Sequence, residues 1–189
     1  MDEIMIRTAV PSDAEQLLRI YSYYVENTAI TFEYDVPSPD EFRTRISHTL
    51  EKYPYLVAEQ QGRAVGYAYA GVFKGRPAYD WSVEISLYVD KDLHRCGIGK
   101  MLYSRLEELL KEMGVTNLYA CISVPAAEDE FLTRNSVEFH QHLGFVPVGE
   151  FHKCGYKFDR WYNMVWAEKI IGEHRSGQAD VIIFNELDR

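Results

Sequence analysis

Hydrophobic positions change their period several times along the chain, and each change marks an element. Ile4, Met5 and Ile6 form a short apolar run that reads as a strand. Ser12 and Glu15 have capping-box spacing and predict a helix to about Glu26; Ser38 and Glu41 repeat the signal and predict a second helix to about Leu50. Leu56–Glu59 and Ala64–Val72 flank Gln61-Gly62 and read as a hairpin, with Val83–Val89 as a further strand. From Ile98 the period becomes helical, through Leu102, Leu106, Leu109 and Met113, and Gly114 supplies a left-handed stop. Leu118–Ile122 reads as a buried strand and Ser136–Leu143 as a helix stopped by Gly144. Phe145–Phe151 with Trp161–Ala167 form a closing antiparallel pair.

The resulting order is one strand, two helices, three strands, helix, strand, helix, two strands. Most strands come in hairpins, and only the central strand–helix–strand requires a parallel crossover. The expected class is therefore α/β (α+β), with a mixed, mostly antiparallel central sheet and helices on both faces. This domain covers residues 1–171. Residues 172–189 form a linker and C-terminal extension in which Val181, Ile182, Ile183 and Phe184 are too apolar for a free tail. An extra strand is expected there, on a sheet edge or on a partner chain.

With 189 residues the chain suits one domain, and its 47% hydrophobic and 26% charged residues are near globular averages. A net charge of −9 opposes nucleic-acid binding, which needs a basic footprint. No apolar run approaches the ~18–20 residues of a membrane span, and the first ten residues lack the pattern of a signal peptide. A cytoplasmic protein without a membrane partner is expected. Cys96, Cys121 and Cys154 are odd in number and far apart, which predicts free thiols and no metal site.

Against this acidic background, Lys91, His94, Arg95 and Lys100 form the densest basic group, around two glycines. His94-Arg95-Cys96-Gly97-Ile98-Gly99-Lys100 lies between a predicted strand and a predicted helix. Its amides form a helix N-terminus, where unpaired N–H groups and the dipole favour an anion such as a pyrophosphate. On Gly-x-Gly alone, an ordinary tight turn is the alternative. A Rossmann fingerprint would need glycine at Leu102, and a Walker loop would need Ser or Thr at Met101.

The pattern Arg/Gln-x-x-Gly-x-Gly/Ala resembles the pyrophosphate loop of GCN5-related N-acetyltransferases (GNAT), here with His94 in first place. Tyr53–Glu59, Gly66–Gly71, Ala78–Glu84, Ser136–His140, Leu143–Phe145 and Gly155–Tyr162 resemble the phosphinothricin acetyltransferase branch, in order and with similar spacing. The resemblance implies the GNAT fold, acetyl-CoA as cosubstrate and a homodimer. It implies that the pantetheine arm runs beside Leu87, Tyr88 and Val89, and that Asn135 and Ser136 stand near the cofactor, Thr133 occupying the place of a family asparagine. Glu84 is the implied base, acting directly or through water, with His140 as a second proton donor or acceptor. Phe32, Lys74, Arg76 and Tyr79 fall in segments placed around the acceptor, where Arg76 suits a carboxylate or phosphinate.

The function so implied is acetyl transfer to the primary amine of a small amino-acid-like acceptor, of phosphinothricin or methionine sulfoximine type, in a ternary complex. Two alternatives accompany it. One is acetylation of a protein N-terminus, with acidic Glu128, Asp129 and Glu130 attracting a basic peptide; the other is a non-catalytic acyl-CoA sensor.

Overall fold

The structure, a computed structural model, describes residues 3–93 and 96–187. The regular elements follow the expected order. β1 (Met5–Thr8) leads to α1 (Ala14–Asn27), α2 (Pro39–Leu50) and the hairpin β2 (Tyr55–Gln60) and β3 (Arg63–Val72). Then come β4 (Ser82–Val89), α3 (Ile98–Glu112), β5 (Asn117–Val124), α4 (Asn135–His142) and the hairpin β6 (Val146–Lys157) and β7 (Arg160–Ile170). One sheet runs β1-β2-β3-β4-β5-β7-β6, and its single parallel pair is β4 with β5.

Alternation along the strands divides two apolar layers. Leu56, Ala68, Val83, Ile85, Leu118 and Ile122 face α3, whose Ile98, Leu102, Leu106 and Leu110 complete the larger core. Tyr55, Val57 and Tyr67 face the other way, toward α1 and α2. Gly66 sets the closeness of α3. A Cβ there would stand 3.1 Å from Ile98 and 3.2 Å from the Tyr88 carbonyl oxygen, so a larger residue would push the helix from the strand.

Local chemistry explains the helix starts. At α2 the Ser38 hydroxyl accepts the Glu41 N–H at 3.1 Å, as the spacing predicts. At α1 the cap is not Ser12. Pro11 opens a single 3₁₀ turn, and Asp13 instead accepts the Val10 N–H at 2.8 Å while Arg7 donates to both its oxygens. Proline favours the first helical position, which moves the boundary back past Ser12.

Two further expectations change. The first strand of the closing hairpin runs to Lys157, six residues past the expected end at Phe151, whereas the second starts at Arg160, one residue before Trp161. Bulges between Pro147 and Gly149 and between Phe151 and Gly155 break its two-residue period, and Phe158-Asp159 turn with φ of 51° and 57° without a glycine. Among the described residues the C-terminal extension forms no strand. Instead Phe184 is buried within the larger core, with Val181 and Leu187 packed against it, and its backbone ends in a short 3₁₀ turn. Apolar content alone did not distinguish a plug from a strand.

Lys157 ties the loop after α1 to the closing hairpin. Its ammonium is buried and donates to the carbonyl oxygens of Thr28 and Thr31, each at 2.8 Å. Burial pushes its pKa down to about 8. The link holds the α1–α2 loop, which carries Phe32, against the β6–β7 hairpin.

Candidate active site

The parallel ladder between β4 and β5 is short. It runs through Ser82–Asn117, Val83–Leu118 and Glu84–Tyr119 and then stops. Beyond that point β4 stays paired with β3 to Val89, and β5 stays paired with β7 to Val124. Each strand is thus held on its outer side while the inner sides diverge. The sheet forks at Glu84 and Tyr119, leaving the β5-facing edge of Ile85–Val89 without a neighbouring strand among the described residues.

Side chains along this edge point away from the gap. Leu87 and Val89 pack against the α3 core, and Tyr88 packs on the opposite face against Tyr21, Tyr24 and Tyr67. Leu87–Val89 therefore offer backbone to anything in the fork, the geometry of strand addition. At its C-terminal end β4 leads to α3. Gly97 sits at the N-cap with φ of 81°, a conformation that glycine adopts without strain. Gly99 serves packing as well, since a Cβ there would lie 3.0 Å from both Leu87 and Phe139. Ile98 is buried, whereas Cys96 and Lys100 are exposed. His94 and Arg95 lie outside the described residues. Asn135 and Ser136 open α4, with Asn135 exposed.

Glu84 stands at the apex of the fork, on the face opposite Val83 and Ile85. Loss of water raises its carboxyl above the ordinary range, and the Lys74 charge opposes that rise. A carboxylate that holds its proton less reluctantly than usual is better matched to proton transfer near neutral pH. Around it lies an aromatic frame in which Phe73, Tyr119 and Trp166 join the expected Tyr79. Phe73 stacks on Tyr119 with ring centres 4.2 Å apart and meets Trp166 and Tyr79 edge-on. The Lys74 ammonium lies 5.0 Å from the Phe73 ring centre and 5.4 Å from Trp166. Alternation was the available signal: with Leu118, Ala120 and Ile122 in the α3 core, Tyr119 and Cys121 must share Glu84's face.

Lys74 and Tyr79 thus join Glu84, and Arg76 opens the Pro77–Tyr79 turn in the same loop. Phe32 is held elsewhere, against Tyr162 and over Gly155. A Cβ on Gly155 would come within 2.3 Å of the Phe32 ring, so this glycine makes room for it.

His140 does not join Glu84. It is buried on the α3 face among Tyr103, Phe139 and Phe145. Its Nδ1 lies 2.7 Å from the Ser136 carbonyl oxygen and its Nε2 3.1 Å from the Tyr103 hydroxyl. A carbonyl only accepts, so Nδ1 carries the proton and Nε2 accepts from Tyr103. Burial lowers its pKa and keeps the ring neutral. The acidic loop is also committed internally. Asp129 accepts from the Phe131 and Leu132 amides and from Tyr162, Arg160 grips Glu130 and Asp129, and Glu128 accepts the Arg134 N–H.

A forked mixed sheet, a glycine-capped helix at the end of one arm and a desolvated carboxylate at the apex form the frame of an acyl-transfer enzyme. Residues 6–166 match the acetyltransferase (GNAT) domain. The chain is 32% identical to phosphinothricin N-acetyltransferase of Streptomyces viridochromogenes over 85% of its own length and 84% of the relative's. It is 28% identical to the L-methionine sulfoximine/L-methionine sulfone acetyltransferase of Salmonella typhimurium, over 92% and 98% of the two chains. A GNAT superfamily phosphinothricin acetyltransferase of Sinorhizobium meliloti, solved in complex with acetyl-CoA, superposes with a TM-score of 0.84 at 30% identity, over 96% and 98%. The chain belongs to the GNAT family of acetyltransferases.

The core placement of His140 has a measurable consequence. His140→Ala removes two buried hydrogen-bond partners and leaves a cavity, and is expected to lower stability by about 2–4 kcal/mol. Urea denaturation checks this; an unchanged midpoint would contradict the bonding described.

Proposed function

We propose that this enzyme transfers the acetyl group of acetyl-CoA to the primary amine of a small amino-acid-like acceptor, of phosphinothricin or methionine sulfoximine type, with Glu84 accepting the proton. The observation that carries the reading is the position of Glu84 at the fork. The backbone of Leu87–Val89 suits a pantetheine amide, and the start of α3 suits a pyrophosphate. The amine nitrogen attacks the thioester carbonyl, the N–C bond forms, the C–S bond breaks and sulfur leaves with the electron pair. The proton lost by the amine passes to Glu84, directly or through one water, and the leaving thiolate takes a proton back from there or from solvent to end as a thiol. His140 acts as a core residue that fixes α4 against α3.

Lys74, in its aromatic frame beside Glu84, and Arg76 are suited to an acceptor's carboxylate or phosphinate, with Tyr79 and Phe32 as further contacts. Acetylation of a protein N-terminus loses its motivation, because the carboxylates of Glu128, Asp129 and Glu130 are engaged within the chain. A soluble cytoplasmic location accords with the absence, among the described residues, of a helix long and apolar enough to cross a membrane.

A homodimer is also proposed, through the edge of β6 rather than the tail. All residues from Val146 to Cys154 are exposed, among them Val146, Val148 and Phe151. A long apolar sheet edge favours pairing with another strand. Light scattering of the wild type should give twice the chain mass and Val148→Lys should give one; a monomeric wild type at micromolar concentration would reject the dimer.

Replacing Glu84 by Gln should lower turnover by about 10²–10⁴, with acetyl-CoA affinity near wild type. Protonated Glu84 cannot accept a proton, so activity should fall as pH drops through its raised pKa. Lys74 holds that pKa down, so Lys74→Met should move the acid limb of kcat/KM to higher pH. Comparison of the two proteins on one acceptor cancels the acceptor's own ionisation. Full turnover of Glu84→Gln at pH 7 would reject Glu84 as the base.

A further inference from the structure

The C-terminal extension does more than fill the core. Phe184 is 1% exposed, its N–H donates to the Lys52 carbonyl oxygen at 3.0 Å, and the Asn185 side chain donates to Leu50 at 2.8 Å. The Ile182 N–H donates to Met113 at 2.9 Å. These contacts fasten the extension to the ends of α2 and α3. From this anchored segment the Ala179 carbonyl oxygen receives the Trp81 indole N–H at 2.7 Å.

Trp81 is the residue at which the forked pair closes. Its carbonyl oxygen accepts the N–H groups of Thr116 at 2.9 Å and Asn117 at 3.1 Å, immediately before the three-residue ladder that ends at Glu84 and Tyr119. Thr116 in turn accepts the Ile171 N–H at 2.8 Å, which brings in the end of β7. On its other side Trp81 adjoins Asp80, which pairs with Lys52 at 3.0 Å, and the Pro77–Tyr79 turn. One indole bond to the extension thus sits between the closed end of the fork and the loop that carries Arg76 and Tyr79.

We propose that Trp81 is a positioning residue, through which the C-terminal extension sets the place of Glu84 and of the acceptor loop. Glu84 and Tyr119 are each held by an outer partner strand, but across the fork the parallel ladder is only three residues long, so its closed end at Trp81 sets how the two inner edges meet at the apex. Only Ser82 and Val83 separate Trp81 from Glu84, and a small displacement of a reacting group has a large effect on rate. The proposal rests on Glu84 as the base. Among the described residues, the charged or titratable groups that act on Glu84 or lie around it are Lys74, Tyr69, Tyr79, Tyr119 and Cys121, and none belongs to the extension, so the effect is one of placement and not of charge.

Trp81→Phe in the full chain keeps an aromatic ring and deletes the indole donor. Asn185→Ala, at an exposed position, loosens the same anchor from its far end. For both, the expected result is a folded protein with acetyl-CoA affinity unchanged by calorimetry and kcat lowered by about tenfold or more for Trp81→Phe. The acid limb of kcat/KM should move to lower pH as water reaches Glu84. A purely structural role would lower the melting temperature and leave kcat and the limb in place, and that outcome in a folded Trp81→Phe overturns the proposal. If Trp81→Phe does not fold, the same two readouts on Asn185→Ala decide in the same way. Glu84→Gln measured alongside separates the two failures. Loss of turnover in Glu84→Gln with none in Trp81→Phe sinks the positioning role alone, whereas full turnover in Glu84→Gln sinks the assignment of the base and this proposal with it.

Discussion

The forked sheet is the constraint on which the rest of the molecule depends. A parallel pair needs a crossover, and here α3 supplies it, so β4 and β5 can be held by their outer partners while their inner edges separate. Three paired residues close one end, at Trp81 and Thr116. At the other end each strand leads toward a helix N-terminus, α3 after β4 and α4 after β5. Both helices pack on the same face, which leaves the opposite face of the fork to the loops that bear Phe32, Lys74 and Tyr79.

Burial then separates the roles of two residues of similar chemistry. Glu84 loses water without gaining a hydrogen-bonded cation among the described residues, and its carboxyl rises above the ordinary range, toward the pH at which an amine must be relieved of a proton. His140 loses water as well, but both its nitrogens are engaged and its ring stays neutral inside the α3 core. Strand alternation accounts for the difference: Glu84 points away from the face on which His140 lies. Lys157, with its two carbonyl partners, keeps the loop bearing Phe32 against the closing hairpin.

Much of this was legible in the residues. Ser38 with Glu41, Gly62, Gly114 and Gly144 each mark a boundary where the structure has one, because caps and left-handed glycines act locally. The apolar face from Ile98 to Met113 placed α3, and the glycines before it placed the start of that helix. Where the reading fell short, tertiary contacts decide. The role of Asp13 depends on Arg7 and on Pro11, the closing hairpin hides its period behind two bulges, and Phe184 is a plug because a hole in the core receives it. His140 reads as a polar helix residue until Tyr103, 37 positions away in sequence, is found against it. The commitment of the acidic loop likewise depends on Arg160, from the next hairpin.

The central claim is that the fork places an amine acceptor beside Glu84. A crystal structure with a bisubstrate analogue, an acceptor amine joined to CoA through an acetyl spacer, tests it most directly. The predicted result has the pantetheine amides along Leu87–Val89 and the acceptor nitrogen about 2.6–3.2 Å from a Glu84 oxygen, or bridged to it by one water. An analogue bound outside the fork, or an acceptor nitrogen with no hydrogen-bonded path to Glu84, would contradict the account.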